Sequence, residues 1–146
     1  MRELGDVSGA AHVIQLAVAP VFLLTAVGAF LGVMANRLGR VIDRARVLET
    51  KLETAPHPAS QGIRDHLKVL SRRARLINIA ITSCTVTALC ICAVIAILFF
   101  GAYLAIDTTM AVSLIFILSM IILMTGLLCF LQEIFLATLS LRIGSK

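Results

Sequence analysis

One carboxylate in this chain sits where carboxylates are costly. Glu133 follows the apolar run MAVSLIFILSMIILMTGLLCFL with only Gln132 between. A lone acid at that depth needs a cation, and it marks an ion pair or an ion pathway. Arg37 and Arg75 are the nearest candidates by depth, so the expected arrangement is a buried ion pair joining Glu133 to Arg37 or Arg75. A proton or ion site is the competing chemistry.

The other concentration of reactive groups is basic. The stretch NRLGRVIDRARVLE, residues 36–49, holds Arg37, Arg40, Arg44 and Arg46 directly behind an apolar segment. Ten of the 13 Lys and Arg lie between Arg37 and Arg75, against four of the eight acids, which makes that stretch net +6. Guanidinium groups in this density can bind phosphate or carboxylate. At 100° per residue, Arg37, Arg40 and Arg44 share one flank of a helix while Arg46 points away. With Lys51 and Arg73 they form a candidate docking ridge for anionic lipid headgroups or an acidic protein. The plainer alternative is a topology signal on a solvated surface. Nucleic acid is not expected, because no base-stacking aromatics accompany the charge.

Other chemistry is sparse. Cys84, Cys90, Cys92 and Cys129 all fall in apolar segments, where free cysteine acts as a small hydrophobe. Cys90 and Cys92 are two apart, which is neither a redox pair nor a zinc pair. His12, His57 and His66 are scattered. No phosphate-binding loop, dinucleotide fingerprint or nucleophile motif occurs. The expectation is therefore no enzyme, no metal and no cofactor.

The elements that carry these residues follow from composition. Of 146 residues, 60% are hydrophobic and 14% charged, whereas soluble domains average about a quarter charged. Three segments can span a bilayer, at about 13–35, 77–106 and 110–132, the last with a helical pattern continuing to about 141. The first is too long for a signal core, lacks a clear cleavage site and is read as a retained helix. The positive loop 36–76 belongs on the cytoplasmic side, which puts the N-terminus and Asp107 outside and the C-terminus inside. Tyr103 suits the outer interface.

The loop itself is patterned. Leu38, Val41, Ala45, Leu48 and Leu52 alternate spacings of three and four, as do Ile63, Leu67, Leu70, Ala74 and Ile77. Pro56 and Pro58 break the chain between the stripes. Folded back about His57 and Pro58, the stripes pair Leu48 with Leu67 and Ala45 with Leu70. Glu49 and Glu53 then face Lys68 and Arg64.

Within the apolar segments, Gly28 and Gly32 form G-x-x-x-G, a helix-packing motif that serves either the bundle or a homodimer. Pro20 removes a helix hydrogen bond and is expected to bend the first helix. Asn78, Thr82, Ser83, Thr85 and Thr87 are expected to bond between helices. Asp107 is placed to cap the third helix.

The run NRLGRVIDRARVLE, with IQLAVAPVFLLTAVGAFLGVM before it, resembles a bacterial membrane family known as domain of unknown function 2721. The resemblance covers about 13–142, and its most specific part is Arg37, Arg40, Asp43, Arg44 and Arg46 together with Pro20. It implies a small integral membrane protein with a basic cytoplasmic segment, and it implies no activity. The expected fold is all-α: a single-domain, three-helix membrane bundle over 1–146, with a cytoplasmic antiparallel hairpin extending the first two helices. The expected role is a non-enzymatic scaffold or accessory subunit of the inner membrane, docking lipid, a membrane protein partner or a further copy. An oligomeric transporter or channel is the alternative.

Overall fold

Every element in the computed structural model is an α-helix. The structure describes residues 2–54, 56, 59–104 and 106–142, and the side chains of 11–54, 56, 60–104 and 106–138. The helices are α1 (Arg2–Thr54), α2 (Ala59–Leu104) and α3 (Thr109–Arg142), and no strand occurs among the described residues. Each contains a segment long and apolar enough to cross a membrane. In such a solvent the backbone must satisfy its own hydrogen bonds, which selects helices.

α1 has 53 residues and α2 has 46. At 1.5 Å per residue they run to about 80 Å and 70 Å, against a hydrocarbon core of about 30 Å. The remainder carries the charged sequence. α1 passes through Pro20, which is buried. α2 ends at Leu104, two residues short of the expected 106, and α3 continues past 132 to Arg142. The expected turn at His57 and Pro58 lies outside the described residues, as does Lys146.

The chain divides into two compact units, and each helix contributes to both. The first comprises Met1–Phe30 and Ser83–Met124. Its core is Ala17, Val27, Cys84, Ile91 and Val94, with Thr87 and Ser119 also fully buried. Both hydroxyls find carbonyls, as burial requires. Ser119 donates to Ile115 O at 2.7 Å. Thr87 donates to Ser83 O at 2.9 Å and, more weakly, toward Ser119 O at 3.4 Å on α3. Thr82, expected to bond between helices, instead donates to Asn78 O of its own helix at 2.9 Å. A hydroxyl on a helix has its own i−4 carbonyl within reach and needs no neighbour.

The turn from α2 to α3 explains one glycine. A Cβ at Gly101 would lie 2.6 Å from Thr108 Oγ1 and 2.8 Å from its Cγ2, so only hydrogen fits there. Gly101 O also accepts from Ile106 N at 3.1 Å, closing the turn. Asp107 then caps α3. Its Oδ1 accepts from Thr109 N at 3.0 Å, while the first ladder carbonyl is that of Thr108, accepting from Val112 N at 3.0 Å. Hydrogen bonds from the Thr109 side chain, and then from its backbone N–H, hold the Asp107 carboxyl below its ordinary pKa.

The second unit comprises Leu31–Thr82 and Thr125–Lys146. Met34, Val41, Leu70, Ile77 and Ala80 are its buried apolar residues. Leu38, Ala45, Leu48 and Leu52 on α1 are half-buried, as are Ile63, Leu67 and Ala74 on α2, and their polar neighbours are mostly exposed. The two stripes thus carry the less exposed positions of both helices.

Candidate functional site

The second unit holds the one fully buried carboxylate among the described residues. Glu133 on α3 is 0% exposed. Arg73 on α2 donates to its Oε1 twice, from Nε at 3.1 Å and from Nη2 at 2.8 Å. Arg37 on α1 brings Nη2 to 2.9 Å from Oε2. That second contact is an ion pair without hydrogen-bond alignment, for Oε2 accepts no hydrogen bond. Arg37 also lies over the Phe130 ring, with Cζ 5.4 Å from the centroid. Phe130 and Glu133 are three residues apart and so share a face of α3. One acid thereby binds all three helices, Arg73 firmly and Arg37 by charge and ring contact.

Of the two expected partners one is present, and a second arginine joins it. Arg37 pairs with Glu133, but Arg75 does not take part: it is exposed and lines a different groove. Arg73, expected on the docking ridge, fills that place. The reason is rotation about the helix axis. Arg73 lies three residues after Leu70 and four before Ile77, on the buried stripe, whereas Arg75 is turned about 200° from it. An arginine at the edge of an apolar stripe, next to Ala74, was the signal available in the sequence. It reads the same on α1, where Arg37 stands three after Met34 and four before Val41.

Around the pair opens a groove of about 600 Å³ lined by Arg37, Arg40, Val41, Asp43, Arg44, Leu70 and Arg73. Four of the five ridge residues meet there. Lys51 does not: it is exposed in the last turn of α1, away from the groove lining. Four arginines against Asp43 and Glu133 leave two net positive charges at this place. Arg37 and Arg73 are 25% and 19% exposed, so each presents part of its surface beyond Glu133.

A second groove, of about 980 Å³, has Val41, Ala45, Leu67, Leu70 and Ala74 among its apolar lining and Arg46, Arg64, Lys68, Arg72 and Arg75 as cations. Glu49 is its one acid and shares the groove with Lys68 and Arg64. The ion pair that Lys68 makes is local, to Asp65 at 3.0 Å. Both side chains there are exposed, and such pairs contribute about 0–1 kcal/mol.

Among the described residues, nothing packs closely on the small-residue motif. A Cβ on Gly28 or Gly32 would meet nothing within 4 Å, because both face outward. The cysteines are free, with Cys84 buried and Cys92 exposed.

The family described as protein of unknown function DUF2721 matches residues 17–143, which takes in both grooves and all three partners of the buried pair. The chain belongs to this family. No curated protein and no solved structure matches the chain. Family membership therefore covers the architecture and carries no activity with it.

Proposed function

We propose that this protein is a non-enzymatic inner-membrane scaffold or accessory subunit that docks an anionic surface through its arginine groove. In this reading the chain crosses the membrane three times, with the N-terminus outside and the C-terminus in the cytoplasm. The charged parts of α1 and α2 stand in the cytoplasm as an antiparallel hairpin. One observation carries the proposal: Arg37, Arg40, Arg44 and Arg73 converge on a single groove with Asp43 as the only acid in its lining. Arginines serving topology alone need only be near the membrane and have no reason to share a concave surface.

The transporter alternative draws less support. A route through the helices needs free polar groups, and the buried hydroxyls of Thr87 and Ser119 are engaged with carbonyls of their own helices. The test neutralises Arg37 and Arg40 in one variant and Arg44, Lys51 and Arg73 in another. Binding to anionic vesicles and crosslinking to neighbouring proteins in native membranes are then compared at unchanged topology. Loss of either readout in a variant that keeps the wild-type unfolding midpoint supports docking. Two unaffected readouts, or ion flux through reconstituted wild-type protein, overturn it.

A further inference from the structure

We propose that the arginine groove is a headgroup site for a membrane lipid carrying two negative charges, set up from the third helix by Glu133 and Phe130. This rests on the docking role and names its ligand. The charge count comes first. Arg37, Arg40, Arg44 and Arg73, offset by Asp43 and Glu133, leave two net positive charges. A dianionic headgroup neutralises them, and a singly charged one leaves a remainder.

Organisation is the second argument. Long arginine side chains ordinarily lose much rotamer freedom when they bind. Two of these four are already held. Arg73 makes two hydrogen bonds to Oε1 of Glu133, and Arg37 rests against Oε2 and over the Phe130 ring. Arg37 meets Glu133 through Nη2 alone, so its Nε and Nη1 remain for another acceptor. A planar fork of N–H groups matches the oxygens of a phosphate in two-point contact. The buried acid costs net charge, yet it fixes the donors in place.

Placement is the third. Arg37 follows the apolar run that ends at 35, so the groove starts at headgroup depth. Val41 and Leu70 supply an apolar part of the lining, and about 600 Å³ is within the range of small-molecule sites. A free phosphate would use the arginines alone, whereas the phosphomonoester of a phosphatidic acid uses them while its acyl chains stay in the adjoining bilayer.

The sign of one substitution separates a built site from diffuse attraction. Glu133→Gln removes a negative charge. Diffuse attraction then strengthens binding of every anionic lipid. A built site loses its organised arginines, and its preference for the dianionic lipid falls.

The experiment uses the full chain in nanodiscs of zwitterionic lipid containing phosphatidic acid or phosphatidylglycerol, at pH 8, where a phosphomonoester carries close to two charges. Retained lipid is counted by native mass spectrometry. The wild type should prefer phosphatidic acid by roughly fivefold, the equivalent of one more matched basic residue at a membrane surface. Glu133→Gln should bring that ratio near one. Arg37→Lys keeps the charge and loses the fork, and it should lower the ratio while total anionic lipid stays constant. It decides the matter if Glu133→Gln fails to fold.

Equal retention of both lipids by the wild type, or a higher ratio in Glu133→Gln, overturns the site. Displacement of the lipid by millimolar inorganic phosphate or by polyglutamate overturns the lipid as its occupant. If Arg40→Gln with Arg44→Gln, which leaves the Glu133 pair intact, abolishes retention of both lipids while the wild type shows no preference, docking survives and the selective site does not. If those two changes alter nothing, both fall.

Discussion

Removing Arg73 should destabilise the protein more than removing Arg37, although both arginines contact the same carboxylate. Glu133 is 0% exposed, so its charge depends on its partners. Arg73 supplies both hydrogen bonds that the carboxylate accepts, at 3.1 and 2.8 Å. In Arg73→Ala, Glu133 keeps only the unaligned 2.9 Å contact to Arg37. Stripping a buried ion of its hydrogen-bonded partner costs about 3–5 kcal/mol. In Arg37→Ala the two bonds from Arg73 remain. The loss is one charge contact plus a cation–π contact worth about 0.5–1 kcal/mol, for a total of roughly 1–2 kcal/mol.

A double variant tests whether Arg73 and Glu133 are coupled. Replacing Glu133 with Leu alone leaves two arginines that are already 19–25% exposed and can turn to water, so its cost should fall between the single arginine variants. Arg73→Met combined with Glu133→Leu removes both members of the hydrogen-bonded pair. Apolar replacement of a whole buried pair is often near neutral, so the double variant should recover much of the Arg73→Ala loss. Equilibrium unfolding in detergent micelles, with the variants compared under one condition, reads these differences. Equal losses for Arg37→Ala and Arg73→Ala would refute the asymmetry. An additive double variant would show that the pair is not coupled.

Further outcomes follow from single contacts. Gly101→Ala should destabilise by about 1–3 kcal/mol through collision with Thr108, and Thr108→Ala should rescue it, whereas Gly28→Ala, with open space around it, should gain about 0.5–1 kcal/mol. Asp107 has a lowered carboxyl pKa in the fold, so its capping contribution is complete above the ordinary value of about 3.9 and disappears as pH falls through the lower folded value. Asp107→Ala should therefore lower thermal stability at pH 7, with the gap to wild type closing only below that range. Leu48→Cys with Leu67→Cys should form a crosslink within one chain if the stripes face each other, and an Asp107→Cys thiol should be labelled from outside. Labelling of that thiol from the cytoplasm alone would reverse the proposed orientation.

How much of this was legible without a structure depends on which physical quantity is local. The three apolar helices are, because in lipid a run of about 20 apolar residues must satisfy its backbone internally whatever its neighbours do. The stripes at Leu38–Val41–Ala45–Leu48–Leu52 and Ile63–Leu67–Leu70–Ala74–Ile77 are as well, because burial along one helix face repeats at helical spacing. So is the need of Glu133 for a cation, which follows from its depth alone. The choice of cation is not local. Arg73 and Arg75 differ little in depth but lie on different sides of α2, and α3 is apolar almost all round, leaving no periodic signal of the side it turns inward. Only packing three helices together sets that rotation. It gave Glu133 to Arg73 and Arg37, put Arg75 in the other groove, left Gly28 and Gly32 facing outward, and gathered four arginines of two helices around one concave surface.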